Sequence, residues 1–430
     1  MARAGRVLII AYHFPPEPTS GALRPGYLAK YLPEFDWDPT VLTRPAPSDG
    51  GSTGDVIRAG RPFAMQGVAF EIGAVPAPIL KFIKAAARQI VYFPDRAAGW
   101  IVPAVAAGLR AHRRARFDAI VSSAMPASVH VAGWILSSML GVPWVADYRD
   151  LWCGNPHQTE PPLRAKLLRA LEKRAIGKAA SITTITREMA NALSALHRRK
   201  VHVIANTFDG DEWQDIPFEK PETFRLVHSG SLYHGRRNPE RIFAQLALLR
   251  RSGAIGNFRF DFYGQDPGNL MELARRFEIA DSVRYHGVVE RSVAMRAERA
   301  ASLLVIIQND DPRTAGEYGS KVFEYQGAGP FILALGPSEG VLRSYIAENG
   351  LGWFASSEDE IATGLRAAYQ KHLEGQSLRP NRGEGGSARS IASGFADVLN
   401  ELRFAERAQL LDGSSTPRAS FERKETANLR

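Results

Sequence analysis

The stretch G-E-Y-G-S-K-V-F-E-Y-Q-G-A-G-P-F-I-L-A-L-G, residues 316–336, reads as an acidic loop, a helix with one buried face and an apolar strand. Lys321 and Glu324 stand three residues apart, so a helix brings them onto one face. Glu324 sits among Val322, Phe323 and Tyr325, where a carboxylate needs a partner. Two readings stand. At the strand ends of an open sheet, Glu324 can accept hydrogen bonds from the vicinal hydroxyls of a ribose while Lys321 meets a phosphate. Alternatively, the two form a Lys–Glu pair on a helix surface.

The alternation of strand and helix extends along the chain. Strands are expected at residues 7–11, 39–43, 117–122, 142–147, 181–186 and 201–205, and again at 224–227, 258–263, 283–286, 303–307 and 331–335. Continuous apolar runs of this kind suit parallel strands buried on both faces. Between the two series, residues 211–224 are polar and broken by Pro217 and Pro221, which reads as a linker. At 430 residues the chain exceeds one ordinary core. The expected fold is α/β, with two doubly wound domains facing a central cleft, residues 1–212 and 213–394. Residues 395–411 form an amphipathic helix suited to packing back on the first domain, and 412–430 read as a disordered polar tail.

Loops after the carboxyl ends of parallel strands collect at one edge of a sheet. Three loops besides that of Glu317 and Glu324 carry chemistry. In H-F-P-P-E-P-T-S-G-A-L-R-P, residues 13–25, Gly21 permits close backbone approach, and the helix start beyond it offers N–H groups to an anion. The plainer alternative is a rigid proline-rich turn. In S-G-S-L-Y-H-G-R-R-N-P-E, residues 229–240, Arg236 and Arg237 stand at a helix start, placed to hold a diphosphate or simply solvated. In A-D-Y-R-D-L-W, residues 146–152, Asp147, Arg149 and Asp150 end a strand. They either point into the cleft and orient an acceptor hydroxyl or form an internal Asp–Arg pair.

These loops, in this order on two βα series, resemble the GT-B glycosyltransferases, and most closely the retaining family 4 of bacterial polysaccharide and glycoconjugate enzymes. The pieces that carry the likeness are V-L-I-I-A-Y-H-F-P-P with S-G-A-L-R, F-D-A-I-V-S-S-A-M-P-A-S-V-H, G-V-P-W-V-A-D-Y-R-D-L-W, H-S-G-S-L, V-R-Y-H-G-V-V and K-V-F-E-Y-Q-G-A-G-P-F-I-L-A. The resemblance implies two Rossmann-like domains, the first for the acceptor and the second for a UDP- or GDP-linked sugar donor. It assigns Glu324 to the ribose and Glu317 to the donor sugar, although their spacing (324 − 317 = 7) is one residue short of the family's E-x7-E motif. The family's diphosphate-binding Arg is replaced by Ser231 and its Lys by Arg236, so Arg236, Arg237 and Lys321 carry more of that task. Gly21 joins the donor site. Asp147, Asp150 and Glu317 are the expected catalytic carboxylates, with Arg149 on the acceptor. The implied reaction is sugar transfer to an acceptor hydroxyl with retention; no Asp-x-Asp motif stands at a strand end, Asp310 and Asp311 being adjacent loop residues beside Pro312, so no metal or other cofactor is expected.

Composition bounds the partners. Lysines and arginines outnumber acids, 54 − 45 = +9, which suits a phosphorylated ligand or an anionic membrane face. No zinc finger, RNP motif or basic zipper supports nucleic acid. One cysteine, Cys153, excludes an internal disulfide and suits a reducing, cytoplasmic setting. No secretory leader or membrane span is expected. Residues 77–93 place Lys81, Lys84 and Arg88 at helical spacing beside apolar residues, either on an inner-membrane face bearing a glycan or lipid-linked acceptor or packed on their own domain. Two alternatives to transfer use the same donor pocket: an epimerase or hydrolase, and a nucleotide-sugar-binding protein without catalysis.

Overall fold

The computed structural model describes residues 4–17, 19–45, 55–60, 92–155, 160–232, 235–265, 268–309, 311, 314–316, 318–379 and 387–411, with 405–411 described by backbone alone. Thirteen strands among them form two parallel sheets. The first sheet contains β1 (Gly5–Ala11), β2 (Trp37–Thr43), β3 (Asp55–Arg58), β4 (Ala119–Ala124), β5 (Trp144–Tyr148), β6 (Ser181–Thr184) and β7 (His202–Val203). Its order is β3-β2-β1-β4-β5-β6-β7. The second sheet contains β8 (Phe224–Ser229), β9 (Phe258–Tyr263), β10 (Val283–Gly287), β11 (Leu303–Ile307), β12 (Phe331–Leu335) and β13 (Gly352–Ala355), in the order β10-β9-β8-β11-β12-β13. Each order reverses once, between β1 and β4 and between β8 and β11. Crevices open at such reversals, outside the carboxyl ends of the strands.

Apolar side chains explain why the strands pair as they do. Val7, Leu8, Ile9 and Ile10 of β1 are fully buried, so both faces of this central strand are covered. On β2, Trp37 is fully buried beside Gly5, where a side chain would collide with the indole ring. The helix Ala388–Leu411 covers this face of the first sheet. Its Ile391, Ala392, Phe395 and Leu399 join Val7, Ile9 and Tyr27 in one core, and Asn400 accepts a hydrogen bond from the Trp37 indole at 3.1 Å.

The chain crosses between the sheets through the helix Asp211–Gln214, within the segment read as a linker. Three successive residues there take three partners. Asp211 accepts from Tyr31 Oη at 2.9 Å and Lys30 Nζ at 3.2 Å. Glu212 accepts from Arg291 at 2.8 Å. Trp213 is buried in the core of the second sheet. The crossover is therefore a pinned element.

Two strands, β3 and β13, went unread. Asp-Val-Ile-Arg and Gly-Trp-Phe-Ala are too short to show an apolar run. Most of residues 77–93 lies outside the described residues, and no described helix is long and apolar enough to cross a membrane.

Candidate functional site

The first wall of the cleft begins with a broken helix. Ser20–Tyr31 contains Pro25, which has no N–H to give to the carbonyl of Gly21, four residues back. Arg149, just beyond β5, supplies the missing donor through a hydrogen bond to Gly21 O. Gly21 makes this contact possible, because a Cβ there would stand 3.3 Å from the guanidinium. Arg149 also donates to the carbonyls of Ala124 at 3.0 Å and Met125 at 2.9 Å. It lines the cleft, yet its donors are engaged in shaping the wall.

Asp147 does not point into the cleft as expected; its side chain is fully enclosed. Both carboxylate oxygens accept from Arg24 at 2.9 Å, and Ser123 and Thr183 each donate at 2.8 Å. Burial opposes its charge, but Arg24 and the two hydroxyls hold it below the usual carboxylate range. Asp147 thus anchors Arg24, which does line the cleft. Asp150 is exposed and is not among the residues that line the cleft.

The second wall comes from the segments after β10 and β11. Glu324, in the helix Lys321–Ala328, lines the cleft with Ser320 and Phe323. Lys321 Nζ lies 2.7 Å from Glu324 Oε2 and 3.2 Å from Glu298 Oε1. Burial works against the charge on Glu324, but Lys321 and then Arg291 outweigh it and hold its carboxyl low. The pair read from the sequence is therefore a largely buried one. Arg236 is exposed at the start of the segment leading to the helix Glu240–Arg251, and Arg237 donates its N–H to Leu232 O at 3.1 Å. Glu317 lies outside the described residues.

Three residues of this site went unassigned in the sequence. Arg24 and Arg291 line the cleft from opposite halves. Glu298 is fully buried behind Lys321. Its signal was available: Glu298 stands three residues beyond buried Met295, on the inward face of the helix Arg291–Arg299.

The cleft thus brings together charged groups from two βα sheets at their reversal points. Residues 22–207 match a family model described as a glycosyl transferase 4-like domain. The whole chain has the GT-B fold, as its structural neighbours show. A sucrose-phosphate synthase from Thermosynechococcus elongatus superposes with a TM-score of 0.57 at 14% identity, covering 96% of this chain and 100% of the other. WaaG, a glycosyltransferase involved in lipopolysaccharide biosynthesis, gives 0.56 at 15%, covering 95% and 100%. A protein assigned as a UDP-N-acetylglucosamine 2-epimerase from Listeria monocytogenes gives 0.51 at 11%, covering 97% and 99%. No curated protein sequence matches the chain. This part of the cleft encloses about 40 Å³.

Proposed function

We propose that this GT-B chain transfers a sugar from a UDP- or GDP-linked donor to an acceptor hydroxyl, with retention, in the making of a cell-surface polysaccharide or glycoconjugate. The observation that carries the reading is Glu324: a carboxylate kept ionised by Lys321 and Arg291 on the cleft wall, free to take hydrogen bonds from vicinal hydroxyls. The glycosyl transferase 4-like match over residues 22–207 supports it.

In this reading the nucleotide sits against the second half, with its ribose on Glu324 and its diphosphate between Arg236, Arg237 and Lys321. Gly21 lets the backbone of the first half approach the donor. Positive charge around the diphosphate stabilises the leaving group as the glycosidic bond breaks. The departing phosphate oxygen takes the acceptor proton on the same face of the sugar, which gives retention without a protein nucleophile. Glu317 faces the donor sugar, while Arg149 stands toward the acceptor. These groups replace a metal, so EDTA leaves turnover unchanged. The acceptor is a glycan or a lipid-linked glycan reached from the cytoplasmic side, with residues 77–93 against the inner membrane face.

The test is calorimetric titration with UDP, GDP, ADP and TDP, followed by product analysis with and without acceptor sugars. Binding of one diphosphate and consumption of its sugar donor only with acceptor is the expected result. Donor consumption without acceptor would favour an epimerase or hydrolase, and absence of binding to all four would overturn the reading.

A further inference from the structure

Behind the ribose carboxylate lies a second one. Glu298 is fully buried, and its Oε1 accepts from Lys321 Nζ at 3.2 Å and from the Ser229 hydroxyl. Its Oε2 has no hydrogen-bond partner among the described residues. Glu298 and Glu324 thus share one ammonium. With both ionised, the trio carries one uncompensated negative charge in a poorly solvated place, which is costly.

The surrounding groups decide which carboxyl yields. Glu324 has Arg291 near it as well as Lys321. Glu298 shares its cation, Lys321, with Glu324. From the helix Lys321–Ala328 it meets Lys321, the charge of Glu324 and the phenol of Tyr325. From β8 it meets the Ser229 hydroxyl, whose backbone N–H in turn donates to Tyr325 Oη at 2.8 Å. His228, one residue earlier on β8, is buried and adds no charge at neutral pH, since burial pushes it down to about 4. Burial first, and then the charge of Glu324, push the Glu298 carboxyl up to about 7.

We propose that Glu298 is a positioning residue for Lys321, and that a nucleoside diphosphate entering the cleft is bound together with one proton taken up at Glu298. The inference rests on the donor reading above. An anion drawn to Lys321 adds negative charge beside Glu298 and favours its neutral form. Once neutral, Glu298 releases its share of the ammonium, and Lys321 divides itself between Glu324 and the phosphate. Ser229 opens the loop that carries Arg236, so the same carboxyl ties that loop to the helix of Glu324.

The test is calorimetry with UDP and GDP from pH 7 to 9, above the terminal phosphate's own titration at about 6. Each titration is repeated in Bicine and Tris buffers, whose ionisation heats differ. Wild type should take up close to one proton per diphosphate at the alkaline end. Its affinity should fall by up to about tenfold per pH unit. Glu298→Gln should bind with little pH dependence and no proton uptake; a purely structural Glu298 would leave the slope in place. Proton uptake in the wild type needs no variant, so the test survives a Glu298→Gln that fails to fold. Binding with no pH slope in the wild type overturns the inference and leaves the donor reading standing. Absence of binding by both nucleotides at every pH overturns the two together.

Discussion

Glu324 and Asp147 were read alike from the sequence, as acids near strand ends, and the structure separates them. Glu324 faces the cleft beside Lys321 and Arg291, so Glu324→Ala is expected to weaken diphosphate binding tenfold or more while the ligand-free melting temperature changes little. Titration and a thermal melt on the same sample check this. Asp147 is enclosed with Arg24, and its removal leaves a buried guanidinium without its counter-charge. Asp147→Ala should cost about 3–5 kcal/mol, read from urea unfolding. The pH dependence follows from the lowered carboxyl. Its stabilisation is complete above the ordinary carboxylate range and disappears as the pH falls through the lowered value. Asp147→Asn should therefore flatten the acid limb of the stability curve and leave the alkaline limb unchanged.

At the scale of elements, the first wall is a compensation between a helix and a side chain. Pro25 removes a backbone donor, and Arg149 replaces it at Gly21. Arg149→Ala should destabilise the protein by about 1–3 kcal/mol through the orphaned carbonyls. Pro25→Ala, which restores the N–H, should recover part of that loss in the double variant; additive losses in a double-mutant cycle would sink the idea. None of this was legible from the sequence, because the partners are 149 − 25 = 124 residues apart. The strands themselves were legible, since runs such as Val7–Ile10 admit no other buried role. The direction of Asp147 was not. A strand buried on both faces shows no alternation, so nothing in β5 marks which side chains turn toward the cleft. The partners of the crossover were not legible for a related reason: its composition is polar, yet Asp211, Glu212 and Trp213 each have a fixed partner.

On the scale of the whole molecule, the two sheets are joined twice, by the crossover and by the return of the chain to the helix Ala388–Leu411. Arg389 at the start of that helix pairs with Glu34 at 3.0 Å and with Asp211 at 3.5 Å, so the return strap also holds the crossover. Ending the chain before residue 388 uncovers the apolar face of Val7, Ile9 and Tyr27. The shortened protein is expected to bind a hydrophobic dye and to aggregate, with no free-standing first domain recovered by gel filtration. A monomeric, cooperatively melting product would show that the helix is dispensable.

That last helix also sets an order of assembly on the ribosome. The first sheet leaves the exit tunnel long before Phe395 and Leu399 exist to cover it. At about 5–20 residues per second, roughly two hundred further residues must be made, a wait of about 10–40 s. During that interval the nascent chain presents a bare apolar surface. This sheet is thus finished after the one that follows it, and the protein's yield in a cell should depend on chaperones that hold that surface until residues 388–411 emerge.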